Sequence, residues 1–250
     1  MKEKIELNSL AQITRKKFSE DAYSPIDIFA MVSGMKDITL VYYPMSTRIS
    51  GMCIKDNGNI IVGINSNTSY GRQRYTLAHE MYHILYEKEL SSAICELSFI
   101  SEKNDSEKEA DLFASYLLMP YDGLIQYVDN NKIDSWTLEN VVEVEQYFLM
   151  SHTAMLVRLL RENYINESDY RTWQSIGITR VATLMGYSSD LYIPSQGNKK
   201  YYSVGSYIRK VEDVANRNII SEGKREEYLL DAFRADIVYN LAEEGMDIYD

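Results

Sequence analysis

Two of the three histidines in this 250-residue chain, His79 and His83, stand four residues apart with Glu80 following the first. The surrounding run, Tyr75-Thr-Leu-Ala-His-Glu-Met-Tyr-His-Ile-Leu-Tyr86, reads as helix, and residues four apart on a helix project from one face. Both imidazoles can therefore meet one metal ion, the arrangement that the H-E-x-x-H pattern supplies. Glu80 then stands beside an open coordination position, placed to take a proton from a water whose pKa a bound Zn²⁺ lowers to about 7. The competing reading is a pair of packed or exposed histidines with no ligand role.

A zinc site of this kind needs a third protein ligand. Glu107 and Asp111, again four apart, open a second helical run from Ser106 to Met119, which Pro120 stops. A carboxylate from Glu107 would put two neutral imidazoles and one anion on the metal. Asp111 is placed to accept the outer N–H of a ligand histidine. Glu109 is the competing acid; with Ser106 it fits an S-x-x-E capping box, which turns it back toward the helix start. An oxyanion donor or substrate-binding group is sought among His152, the third histidine, and Tyr82, Tyr86 and Tyr121. Arg72 and Arg74 stand one to two turns before His79 and are candidates for substrate contact.

The elements that must hold these groups follow from periodicity and punctuation. The first thirty-odd residues read as helical, with Ser24-Pro25 as an N-cap and first-turn proline and Gly34 as a stop. Three short β-branched runs follow: Ile38 to Tyr43, Gly51 to Ile54 and Asn59 to Ile64. The turn Lys55-Asp56-Asn57-Gly58 marks a hairpin between the last two. With no helix-length gap between them, the strands are expected to pair antiparallel throughout. Beyond the two site helices, Thr137 to Gln146 and Ser151 to Asn163 form a helix pair resembling a helix-turn-helix. Residues 174–203 carry three glycines and a proline and read as a linker or long loop. The end returns to helix, from Val204 to Arg217 and from Glu222 to Leu241.

The run Arg72-Gln-Arg-Tyr-Thr-Leu-Ala-His-Glu-Met-Tyr-His83, followed by Glu107-x-x-Ala-Asp-x-Phe-Ala and Leu-Leu-Met-Pro120, resembles the ImmA/IrrE family of metallopeptidases. Ile49-Ser-Gly51 and Ile64-Asn65 upstream, and Ser151-His-Thr-Ala-Met-Leu-Val-Arg-Leu159 downstream, are similar to further segments of that family. The resemblance spans about residues 8–163. It implies a zinc peptidase with His79, His83 and Glu107 as ligands and Glu80 as general base. It also implies a regulatory role, in which the substrate is a cognate repressor or antitoxin of the helix-turn-helix type. Tyr75 stands where the family commonly has Phe, and Tyr82 where it frequently has Gly. A bulky residue at position 82 is expected to narrow the cleft.

Composition bounds these readings. The net charge of −11 argues against a protein that coats nucleic acid or anionic lipid, and the glutamate-rich 137–163 pair lacks the basic stripe of a DNA reader. An acidic surface instead complements a basic DNA-binding protein as partner. Cys53 and Cys95 cannot form a four-thiolate site and are expected to be buried free thiols. The charged opening residues hold no apolar signal core, and no apolar stretch reaches membrane-spanning length, so a cytoplasmic location is expected. The fold expected is α+β: a small antiparallel sheet packed on a zincin-type helical core over residues 1–130. A helix-turn-helix-like segment (131–173), the linker (174–203) and a C-terminal helical segment (204–250) follow. A rival from another class is a regulatory or toxin-type protein of the same fold that sequesters its partner without cutting it.

Overall fold

The computed structural model describes residues 1–87, 92–96, 104–194 and 197–239, with the side chains of 92–96 and 197–198 left aside. It is an α+β fold in which one mixed sheet lies against the helix that carries both histidines. In chain order the elements begin with α1 (Lys4–Lys17), α2 (Ile28–Ser33), β1 (Ile38–Tyr43), β2 (Ile49–Asp56), β3 (Asn59–Asn65) and α3 (Tyr70–Tyr86). They continue with β4 (Ser92–Glu96), α4 (Asp105–Leu118), α5 (Tyr121–Asn131), α6 (Leu138–Phe148), α7 (His152–Arg161), α8 (Glu167–Gln174) and α9 (Ile178–Leu184). β5 (Tyr202–Gly205), α10 (Ser206–Asn216), α11 (Glu222–Asp231) and α12 (Ala235–Val238) complete the described chain.

The sheet order is β4-β2-β3-β1-β5. β2 and β3 form the expected hairpin, and its turn places Asn57 at φ 45° and Gly58 at φ 79°, the left-handed pair that a two-residue hairpin turn requires. The expectation of uniformly antiparallel pairing is corrected: β1 runs parallel to β3, with Ile38 opposite Ile60 and Tyr43 opposite Asn65. The missing helical crossover excludes parallel pairing only between consecutive strands. Here the chain reverses twice, through β2, and so returns to its first direction.

The short connection from β1 to β2 consequently passes the end of β3, a span of about 10 Å across two strand spacings. Asn65, at the end of β3, holds it. Its Oδ1 accepts from the amides of Met45 and Asn67, each at 3.0 Å, and its Nδ2 donates to Ser46 and Ile49 carbonyls.

Helix starts differ from expectation in two places. Asp27 rather than Ser24 caps α2, accepting from the amides of Phe29 and Ala30; Ser24 instead bonds Asp21 through its amide and hydroxyl. Asn104 rather than Ser106 caps α4, accepting from the Glu107 amide at 2.9 Å. In both cases an Asx residue stands two or three positions from the expected cap and satisfies the same orphan N–H groups.

The core joins the inner face of β1–β3, through Leu40, Val62 and Ile64, to Leu77, Ala78 and Met81 of α3 and to Phe113, Leu117 and Met155 behind it. Cys53 is part of this core, and burial pushes its thiol up to about 12, so it is an inert apolar residue. Cys95 and Leu241 lie outside the side chains described. The stretch expected as a linker holds α9, single 3-10 turns at Asp190–Tyr192 and Gly197–Lys200, and a tie to α3 in which the Tyr70 amide donates to the Ile193 carbonyl at 2.9 Å. β5 then pairs antiparallel with β1. No helix among the described residues is long and apolar enough to cross a membrane.

Candidate metal centre

α3 starts at Ser69, whose hydroxyl accepts from the Arg72 amide, and runs with nearly every side chain buried from Gly71 to His83. A helix buried on all sides lies at the centre of its domain. Its close seat on the sheet depends on Gly51 of β2. A Cβ there would lie 2.5 Å from Thr76 Cγ2 and 2.8 Å from the Gly63 carbonyl oxygen, so only glycine admits this approach.

α4 packs beside α3 and brings Glu107 to the two histidines. His79 Nε2 lies 3.2 Å from His83 Nε2 and 3.2 Å from Glu107 Oε2, and His83 Nε2 lies 3.4 Å from Glu107 Oε1. Ligand atoms at about 2.0–2.1 Å from a tetrahedral Zn²⁺ stand about 3.3–3.4 Å apart. The donor set therefore fits such an ion in both spacing and chemistry, and all three donors lie within 4.8 Å of one another.

The opposite edge of each imidazole is held by a carboxylate. Asp111 Oδ1 lies 2.9 Å from His79 Nδ1, and Glu87 Oε2 lies 2.7 Å from His83 Nδ1. A proton on each Nδ1 donated to its carboxylate leaves the Nε2 lone pair facing the site, the state a metal ligand must have. Glu87 is a functional residue the sequence reading missed. Its only signal is that it continues the four-residue spacing one turn past His83. Ser106, expected as a cap, donates its hydroxyl to the other Glu87 oxygen. Lys55 of β2 donates to the Glu87 carbonyl at 2.7 Å and to the His83 carbonyl, closing the end of α3.

Glu80 is wholly buried, and neither of its carboxylate oxygens has a hydrogen-bond partner among the described residues. Burial raises its pKa to about 7, with the adjacent histidines pulling it back and Glu107 adding to the rise. A carboxyl poised near neutrality suits a group that must both take and return a proton. Burial also works against ionisation of Glu107, but its bonds to His79 and His83 outweigh this and hold its carboxyl far below the ordinary range.

The remaining sequence candidates lie elsewhere. The Tyr82 ring packs against Tyr86 and Phe113 in the seam between α3 and α4, so its bulk fills that seam rather than narrowing a cleft. Its hydroxyl donates to Glu109, and Lys2 donates to it at 2.7 Å. Glu109 is not turned to the helix start. It pairs with Lys2 at 2.6 Å, and although burial opposes its ionisation, the bonds from Lys2 and Tyr82 hold its carboxyl at about 2. Arg74 is buried and donates to the carbonyls of Leu149 and Ile26, tying α3 to two loops. Arg72, also buried, lies over the Tyr75 ring. His152 is outside the cluster: its Nδ1 meets Glu145 at 2.6 Å and its Nε2 meets the Trp173 carbonyl at 3.1 Å. Tyr86 bonds Thr14 and the Leu10 carbonyl of α1, and Tyr121 is exposed at the start of α5.

Two histidines and a glutamate gathered across two helices, with a further glutamate buried beside them, define a metallopeptidase-type site. Residues 25–160 match the Peptidase_M78 family, described as the IrrE N-terminal-like domain, over more than half of the chain, and the chain belongs to that family. No curated protein matches it.

Proposed function

We propose that the chain is a zinc-dependent endopeptidase that hydrolyses a peptide bond in a specific regulatory protein, a repressor or antitoxin of the helix-turn-helix type. The observation that carries this reading is the buried Glu80 carboxylate, without a hydrogen-bond partner among the described residues, beside the His79–His83–Glu107 donor set. His79, His83 and Glu107 would hold the Zn²⁺, which when bound would supply Lewis acidity for the scissile carbonyl and for the attacking water. Glu80 takes the proton from the attacking water and passes it to the departing amine nitrogen. Asp111 and Glu87 fix the tautomer of the two imidazoles throughout. The net charge of −11 favours a basic DNA-binding protein as substrate, and the resemblance to ImmA/IrrE peptidases favours the same class. The protein is expected to act in the cytoplasm, where such substrates reside.

The test incubates purified chain and Zn²⁺ with a panel of helix-turn-helix repressor proteins from the same genome, comparing wild type with Glu80→Gln. The expected result is discrete cleavage that the variant slows by about 10²–10⁴-fold, the contribution of a general acid–base group. A panel left intact by the wild-type protein under every condition contradicts the choice of substrate. Cleavage unaffected by Glu80→Gln contradicts the mechanism.

A further inference from the structure

Glu107 sits at the third position of α4, in the first turn of the helix, where backbone N–H groups have no intrahelical partner and helices fray. A metal ligand must nevertheless be held to within about 0.5 Å of its working position. The Asn104 cap satisfies one amide of this turn, and the Ser106 hydroxyl ties the turn to Glu87 just past the end of α3, but neither reaches the stretch of α3 between the two histidines. Two residues beyond Glu107, Glu109 supplies a connection. Its Oε2 accepts from Lys2 Nζ at 2.6 Å and from the Tyr82 hydroxyl, while Lys2 Nζ also donates to the Tyr82 oxygen at 2.7 Å. The Lys2 amide donates to the other Glu109 oxygen, so the residue grips the carboxylate through backbone and side chain together. Tyr82 itself stands between His79 and His83 on α3 and is 1% exposed, so its hydroxyl is a rigid anchor. Lys2, Tyr82 and Glu109 thus close a ring of charge-assisted hydrogen bonds joining the two ligand-bearing helices, and such bonds are about twice as strong as neutral ones.

We propose that Lys2 is a positioning residue for the metal centre: its ammonium group fastens Glu109, one turn into α4, to Tyr82 of α3 and thereby sets how Glu107 meets His79 and His83. This rests on reading those three residues as the metal ligands. The Lys2 side chain is 36% exposed at the surface, so its replacement leaves the core intact.

The experiment measures Zn²⁺ affinity by competition with a chromophoric chelator, and the thermal unfolding midpoint of the metal-free protein, for wild type, Lys2→Met, Lys2→Arg and Tyr82→Phe. Lys2→Met is expected to bind Zn²⁺ about 10-fold or more weakly, the size of effect seen when a group supporting a metal ligand is lost. Lys2→Arg, which keeps the cation, recovers most of that affinity, and Tyr82→Phe falls between. Wild-type affinity in Lys2→Met overturns the proposal, whatever happens to its unfolding midpoint. A wild-type chain that takes up no Zn²⁺ overturns the metal-ligand reading itself, and this proposal with it, so the two failures are distinguishable.

Discussion

Each imidazole of the centre is gripped from behind by its own carboxylate, and the two grips come from different places. Asp111 reaches His79 from α4, and its backbone carbonyl accepts the Tyr75 hydroxyl at 2.7 Å; Glu87 reaches His83 from the end of α3 itself. Replacing either with its amide, Asp111→Asn or Glu87→Gln, is expected to weaken Zn²⁺ binding by about 10–100-fold while leaving the fold intact, as read by metal competition and circular dichroism. At this scale the sequence was most readable. His79, Glu80 and His83 lie in one turn-and-a-bit of helix, and Asp111 follows from its spacing to Glu107. Glu87 was hidden because a glutamate at a helix end has an ordinary explanation in solvation. Lys2 and Lys55 were hidden because nothing local ties them to residues 80 or 28 positions away.

Among the elements, the seat of α3 on β2 leaves no room for a side chain at Gly51. Gly51→Ala pushes a methyl group into Thr76 and the Gly63 carbonyl, and overpacking of this kind costs about 1–3 kcal/mol. A lower unfolding midpoint with weakened Zn²⁺ binding is expected, because Glu80 Oε1 lies 3.6 Å from the same methyl position. The α6–α7 pair makes a prediction of a different kind. Burial raises the pKa of Glu145, with the His152 bond pulling it back; burial lowers that of His152, but its bond to Glu145 outweighs this and raises it. The folded pair therefore holds its proton more tightly than the unfolded chain. That contribution to stability is full below the ordinary histidine value of 6.5 and is lost as pH climbs through the higher folded value. Urea midpoints measured at pH 6 and pH 8.5 should fall more for wild type than for the double variant Glu145→Gln/His152→Gln, in which neither member of the pair titrates. The α6 and α7 helices were legible from their capping residues and apolar spacing. That His152 would point to Glu145 rather than to the metal was not, since helix periodicity places a residue on a face without saying which neighbour covers it.

For the molecule as a whole, the sheet is the point where sequence and structure part most clearly. The strands were legible one by one from their β-branched runs, but the parallel register of β1 with β3 depends on which strand lies between which, a property of the assembled sheet. The same holds for β5, which comes from residues far beyond the family domain and covers the outer edge of β1. A chain cut before Tyr202 bares that edge, and light scattering should then report self-association, the usual fate of an unpaired apolar strand. The sheet in turn carries α3, and α3 with α4 carries the donor set, so these helices are expected to build a metal site in which Glu80 is no ligand. Calorimetric titration with Zn²⁺ tests it. One ion is expected to bind per wild-type chain, with binding lost in Glu107→Ala and retained in Glu80→Gln. A wild-type chain that binds no Zn²⁺, or a Glu80→Gln variant that loses it, would rule out this ligand set.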